Sequence, residues 1–264
     1  MVTAIIPARY KSKRFPGKML ALIHGKPMIE WVYKAVNNCK VIQRTFIATD
    51  DEKIKTVCEE KDMKCIMTSE KHDSGSDRIY EAATILGCNS TELIINVQGD
   101  EPCIEDSVIR KVVEPLFKYP NISVTSAATE IAGSMATNPN SVKVVTNNAG
   151  MALYFSRSII PYRVDPLIMP ILKHIGIYGF HMWSLKEFIT LPRLSLEKAE
   201  RLEQLRLIEN QRDIFIAKVD YQGIGVDEPG DIQRAEEYIA MRTLKNINKG
   251  FNISFDKLKE GESK

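Results

Sequence analysis

Between Val2 and Tyr119 short apolar runs alternate with segments of helical period, and this rhythm restricts the architectures open to the chain. Val2–Ile6, Arg44–Thr49, Lys64–Met67 and Glu92–Val97 read as strands. Pro27–Asn37, Asp51–Lys61, Ser76–Leu86 and Asp106–Tyr119 read as helices, with Pro27 suited to a first turn, acids opening the second and a serine capping the third. Glu92–Val97 is almost wholly apolar, as a central strand covered on both faces must be. Strand–helix alternation of this kind predicts an α/β protein with a Rossmann-like, doubly wound, mostly parallel sheet.

The second half breaks the rhythm. Ile122–Thr129, Ser141–Thr146 and Met151–Ser156 read as strands with short connections, and Asn147-Asn148-Ala149-Gly150 reads as a hairpin turn. Ile159–Leu172 carries Pro161, Pro166 and Pro170 and reads as an ordered loop. His174–Trp183 and Ile214–Val219 read as strands, Leu196–Asn210 as one amphipathic helix and Pro229–Arg242 as a closing helix. The expected organisation is one domain over residues 1–242. An antiparallel insertion at about 130–212 would form a lid or a dimer surface, and a polar extension would occupy 243–264.

The chain has 264 residues, enough for a sizeable core. Its formal net charge of +2 exerts no global pull on nucleic acid, so any cationic site is local. Cys39, Cys58, Cys65, Cys88 and Cys103 stand in apolar contexts with no C-x-x-C pair, which predicts free thiols in a reducing compartment and no zinc site. The start reads as a strand, with none of the features of a secretory signal, and no apolar run reaches the length of a membrane span. The expectation is a cytoplasmic protein that binds neither nucleic acid nor membrane.

The first strand breaks at Pro7 into a loop bearing Arg9, Lys11, Lys13, Arg14 and Lys18. A cationic loop at the carboxyl edge of a parallel sheet suits a polyphosphate, and the alternative is a solvated run of charge. The loop has neither G-x-G-x-x-G nor G-x-x-x-x-G-K-[ST], so a dinucleotide fold and a P-loop are poorly supported. Arg9, Arg14 and Lys18 would converge on phosphate oxygens, with Pro16-Gly17 tightening the turn that returns Lys18 over the strand end. Asp100 follows the most apolar strand, where a carboxylate facing the loop serves as an Mg²⁺ ligand or as a helix cap. Asp227, in Gly223–Pro229, repeats the logic and carries the same two readings.

These segments resemble the 3-deoxy-manno-octulosonate (Kdo) cytidylyltransferases. The resemblance runs from Ile6–Lys18 through Gly25–Met28, Ala48–Asp51, His72–Arg78, Asn96–Pro102, Asn138–Val145, Ala152–Pro161, His174–Phe180 and Leu202–Arg206 to Gly225–Asp227. It covers roughly residues 2–240. It departs from the family at Phe15, where leucine is common, at Asp77, where glutamate is frequent, and in the tail beyond Thr243. The resemblance implies a nucleotide-diphospho-sugar transferase fold and transfer of CMP from CTP to the anomeric hydroxyl of Kdo, with release of pyrophosphate. It implies that Arg9 and Lys18 hold the triphosphate with Arg14 nearby, and that Asp100 and Asp227 hold Mg²⁺. One ion would bridge phosphates and a second would lie at the attacking hydroxyl. Ser74, Arg78 and Gln98 would line the nucleotide pocket. His174, Tyr178, Glu203 and Gln204 would contact the sugar, with Arg157 facing its carboxylate. On pattern alone, His174 and Tyr178 also suit a core, Glu203 and Gln204 a solvated helix face, and Arg157 plain surface. The resemblance further implies a homodimer in lipopolysaccharide biosynthesis. An 8-amino analogue of Kdo, another sugar acid, and a non-catalytic nucleotide-binding homologue remain alternatives.

Overall fold

The computed structural model describes residues 1–11, 14–72, 74–119, 121–165 and 169–244. Lys13, Asp73, Pro166 and all but the start of the expected 243–264 extension lie outside these. In chain order the elements are β1 (Val2–Ala8), a 3₁₀ turn (Lys18–Leu20), β2 (Leu22–Ile23), β3 (Lys26–Pro27), α1 (Met28–Asn37), β4 (Arg44–Thr49), α2 (Glu52–Glu60), β5 (Cys65–Met67), α3 (Gly75–Ile85), β6 (Leu93–Val97) and α4 (Asp106–Lys118). There follow β7 (Val124–Ile131), α5 (Ser134–Thr137), β8 (Lys143–Thr146), β9 (Ala152–Ser156), β10 (Ile171–His181), α6 (Met182–Thr190), α7 (Ser195–Glu200), α8 (Leu205–Glu209) and β11 (Phe215–Lys218), and residues 231–244 are helical.

The main sheet runs β11-β7-β10-β6-β1-β4-β5. β1 pairs in parallel with β4 and β6, β4 with β5, and β7 with β11, while β10 is antiparallel to both β6 and β7. Pleating sorts β1 between two cores. Val2, Ala4, Ile6 and Ala8 face α1 and α4, and Ile5 faces α3 and α6. Both faces are therefore covered, as the apolar reading of the central strands requires. β10 is the hinge of the second half. Its last residues pair with β6 and its first with β8, and its register against β7 shifts between Ile175 and Tyr178, at Gly176. All five cysteines are free, and no helix among the described residues is long and apolar enough to cross a membrane.

Three expectations are corrected. The single helix over Leu196–Asn210 is two short helices, α7 and α8, separated at Arg201, whose φ is 54°. The break lets Leu202, Gln204, Leu205 and Leu207 all turn inward, which one continuous helix face cannot do. Arg206 then spans it, donating from Nε (2.8 Å) and Nη2 (2.7 Å) to the Glu197 carboxylate. The strand expected over His174–Trp183 ends at His181, and Met182–Thr190 is a helix that buries Leu185 and Phe188. A short apolar run does not distinguish a strand from the first turn of a buried helix. Asp227 does not leave a strand end as Asp100 does: among the described residues no strand follows Lys218, and the segment is pinned by the Val226 amide, which donates to the Asp100 carbonyl at 2.8 Å.

Candidate active site

The cationic loop leaves β1 and is closed by the Gly17 amide, which donates to the Tyr10 carbonyl at 2.9 Å. Gly17 sits at φ 72°, a left-handed conformation that costs glycine nothing, and so turns Lys18 back under the loop. Lys18 is 8% exposed. Its Nζ donates to Asp100 Oδ2 at 2.5 Å and to the Val226 carbonyl at 3.2 Å, and lies 3.7 Å from Asp227 Oδ1. Arg14 Nη2 reaches the same Asp227 oxygen at 2.7 Å. The two carboxylates, 82 and 209 residues from Lys18, thus share one cation.

Neither acid caps a helix. The helix after Asp100 begins at Asp106, and the amides of Asp227 and Glu228 donate to Asp231 Oδ2 at 2.8 and 3.0 Å. Burial raises the Asp231 pKa, but those two amides, then Arg234, outweigh it and leave the carboxyl below its usual value. Asp231 therefore orders the loop that aims Asp227 at Lys18. Close approach at the end of β6 depends on Gly99, where a Cβ would lie 2.9 Å from Met19 Sδ and 3.0 Å from the Pro7 carbonyl. Glu101, next to Asp100, accepts from Tyr221 Oη at 3.3 Å, and burial, then the Asp100 charge, push its pKa to about 7. A cleft of about 340 Å³ opens beside these groups, lined among others by Glu101, Asn140, Lys173, His174, Asp227 and Arg234.

Arg9 belongs to a second cluster. Burial and then Arg78 lower its pKa, opposed by Asp50, Asp77 and Glu203. Arg78 is wholly buried, with Nη1 on Thr68 Oγ1 (2.5 Å) and Nη2 on Asp50 Oδ2 (2.8 Å). Ser74 caps α3 in a reciprocal box with Asp77, and Ser76 Oγ donates to Glu203 Oε2 at 3.0 Å. Burial raises the Glu203 pKa, while Ser74 and Arg206 act to lower it. Glu203, Gln204, Tyr178 and Ser76 meet around one tight pocket, so the break between α7 and α8 buries Gln204 and brings Glu203 against Ser76. Tyr178 is raised above its usual pKa by burial and then by Glu203, and its ring stacks on Phe180.

Gln98 lies between the clusters: its Nε2 donates to Asn96 Oδ1 at 3.2 Å, and a Cβ on Gly176 would come within 3.2 Å of its Cγ. His174 lines the cleft, with Nε2 2.8 Å from Ser126 Oγ, and burial brings its pKa to about 3, so its ring is neutral. Arg157 stands apart, its Nε on the Glu200 carbonyl (2.9 Å) and its Nη1 on the Pro139 carbonyl (3.2 Å).

The residues expected from sequence thus form a loop-and-acid cluster (Arg14, Lys18, Asp100, Asp227), a second cluster around buried Arg78 and Gln204 (Arg9, Ser74, Arg78, Tyr178, Glu203, Gln204), and Gln98, His174 and Arg157 set between or beside them. Sequence reasoning missed Asp50, Glu101, Lys173 and Asp231. Asp50 was findable, because it leaves β4 as Asp100 leaves β6. Lys173 and Asp231 give no such signal.

The donor set admits Mg²⁺. Both carboxylates offer oxygen to a position that one cation can serve, and phosphates and waters would complete its coordination. Among the described residues no group of three or more His, Cys, Asp or Glu forms a metal site complete in protein ligands.

A basic loop from the first strand, opposed by carboxylates at the edge of a doubly wound sheet, defines an α/β protein built to hold a polyphosphate. Residues 3–214 match the family described as Cytidylyltransferase. The chain belongs to the cytidylyltransferase family. It is 44% identical over 250 residues to the 3-deoxy-manno-octulosonate cytidylyltransferase of Thermodesulfovibrio yellowstonii, covering 90% of this chain and 98% of that one. It is 41% identical over 242 residues to the 8-amino-3,8-dideoxy-manno-octulosonate cytidylyltransferase of Shewanella baltica, covering 91% and 99%. A solved CMP:2-keto-3-deoxy-manno-octonic acid synthetase complexed with CTP superposes with a TM-score of 0.86 at 36% identity, over 91% of this chain and 99% of that one. A 4-diphosphocytidyl-2C-methyl-D-erythritol synthase from Anaerococcus prevotii shares the fold alone, with a TM-score of 0.61 at 16% identity.

Proposed function

We propose that this protein transfers CMP from CTP to the anomeric hydroxyl of Kdo, giving CMP-Kdo and pyrophosphate. The observation that carries this reading is the meeting of Lys18 and Arg14 with Asp100 and Asp227 at the mouth of the cleft. The sugar oxygen attacks the α-phosphorus in line. The new P–O bond forms as the α–β bridging bond breaks, the hydroxyl proton is released, and the electron pair leaves on pyrophosphate. Lys18 and Arg14 neutralise charge on the phosphates, and Arg9, in the field of Arg78, Asp50 and Glu203, supports the nucleotide from the other side. Asp100 and Asp227 would hold Mg²⁺, which when bound supplies neutralisation of phosphate charge and acidifies the attacking hydroxyl. Gln98, Ser74 and Arg78 order the nucleotide side. His174, Tyr178, Glu203, Gln204 and Arg157 present hydrogen bonds and one fixed cation to an anionic, polyhydroxylated acid.

Pyrophosphate release with CTP, Mg²⁺ and a panel of Kdo, its 8-amino analogue and other sugar acids tests the reading. Turnover on Kdo is expected. Preference for the amine analogue would reassign the sugar, and release with none would leave a nucleotide-binding protein without this activity. The reading extends to a cytoplasmic homodimer serving lipopolysaccharide synthesis. The exposed apolar side chains of Leu153, Ile159 and Tyr162 support an interface, which light scattering would test.

A further inference from the structure

Lys143 is the charged residue least expected where it stands. It occupies β8, opposite Ser156 of β9 and Lys173 of β10, and is 0% exposed. Its Nζ donates to two main-chain carbonyls, Arg157 O at 2.5 Å and Asn138 O at 3.1 Å. Burial lowers its pKa, and the nearby Glu200 opposes that. Glu200 is itself committed to the same neighbourhood. Its Oε1 accepts from Ser156 Oγ (2.5 Å), its Oε2 from the Arg157 amide (2.9 Å), and its carbonyl from Arg157 Nε. Arg157 is therefore gripped from both sides, with Lys143 on its carbonyl and Glu200 on its amide and guanidinium. Asn138, which Lys143 also holds, begins the stretch that lines the cleft as Asn138, Asn140, Ser141 and Val142.

A buried ammonium satisfied by neutral carbonyls is a costly way to join strands, and an apolar side chain would pack there with less desolvation. What the ammonium adds is direction, because it ties the peptide of Arg157 to the wall of the cleft. We infer that Lys143 and Glu200 are positioning residues that fix Arg157 and the 138–142 wall for the carboxylate of the sugar acid. They touch no substrate. The inference rests on the sugar-acid transfer proposed above.

The test uses Lys143→Met, which keeps the length and removes the charge, and Glu200→Gln. In steady-state kinetics of the full chain, the KM for the sugar acid should rise on the order of tenfold or more while the KM for CTP stays within about twofold. The Arg157 Nε–H resonance, assigned by its disappearance in Arg157→Lys, should exchange slowly with solvent in the wild type and faster in both variants. Unchanged sugar KM and unchanged exchange would overturn the inference, as would equal losses toward CTP and sugar. Where Lys143→Met fails to fold, Glu200→Gln decides alone. A wild type inactive on every sugar acid would defeat the proposed reaction, and the exchange measurement would still decide whether the two residues hold Arg157.

Discussion

The loop-and-acid cluster and the cluster around Arg78 and Glu203 are built on different principles. In the first, charges meet at the edge of the sheet: the Asp100 and Asp227 side chains are 29% and 37% exposed, and Lys18 pairs with both. In the second, Arg78 is wholly buried against Asp50 and Thr68, Gln204 is buried, and the Glu203 carboxyl is pushed up chiefly by burial. Between the two regions, His174 is held uncharged by burial. The first region is organised by long-range charge, which a polyanion and its counterion can take over. The second is organised by packing, hydrogen bonds and the ion pair of Arg78 with Asp50.

If this contrast is right, Asp100→Ala and Asp227→Ala should each lower turnover by about 10³-fold or more with the melting temperature nearly unchanged. Near-normal activity of either purified variant at saturating Mg²⁺ would remove the metal assignment. Lys18→Met should cost about 10²–10³-fold in kcat, because its ammonium is buried between both acids. At His174, set between the regions, the expected effect is on stability against pH. With a folded pKa of about 3 and an ordinary value near 6.5, the unfolded state binds more protons at His174 between those limits, so stability falls as pH drops through that window. His174→Gln should lose on the order of 3 kcal/mol less than the wild type between pH 7 and pH 4, read by urea melts at each pH. Equal slopes for the two proteins would show that His174 titrates normally.

Gly99→Ala should destabilise by about 1–3 kcal/mol, since its Cβ meets Met19 and the Pro7 carbonyl, and should loosen the approach of β1 and β6. The smallest effect is expected at Arg14. Its side chain is 52% exposed, and Arg14→Gln should cost no more than about tenfold in kcat/KM, with a salt dependence that Lys18→Met lacks. Reversed ranking of Arg14 and Lys18 would mean that the loop closes differently around the nucleotide.

The parallel half of the fold was legible because each strand there is a local apolar run and two of its helices, α2 and α3, carry side-chain caps at Asp51 and Ser74. Arg44–Thr49 was read to the residue, and α3 runs one residue ahead of the expected Ser76–Leu86, with Ser74 as its cap. The second half was less so. The break at Arg201 has no glycine or proline to announce it, and only the inward turn of Leu202 and Gln204 explains it. The apolar run into α6 carries no period short enough to separate strand from helix. In the site, Lys18, Asp100 and Asp227 could be nominated from their places after turns and strands, but their sharing of one cation could not. Asp231 and Lys143 act through main-chain groups distant in sequence, and nothing in their local pattern marks them.

By itself the sequence determined the strand–helix order of the parallel half, the cationic loop after β1 and the candidate acids, because periodicity, turn residues and charge are local properties. Only the tertiary structure decided which of those charges meet. It sent Arg14 and Lys18 to Asp227 and Arg9 to Arg78, inserted β10 antiparallel between β6 and β7, and buried Lys143 behind Arg157. These outcomes depend on which strand ends the sheet brings side by side, and pairing across 80 to 200 residues is chosen by the packing of the whole core, with no local signal to report it.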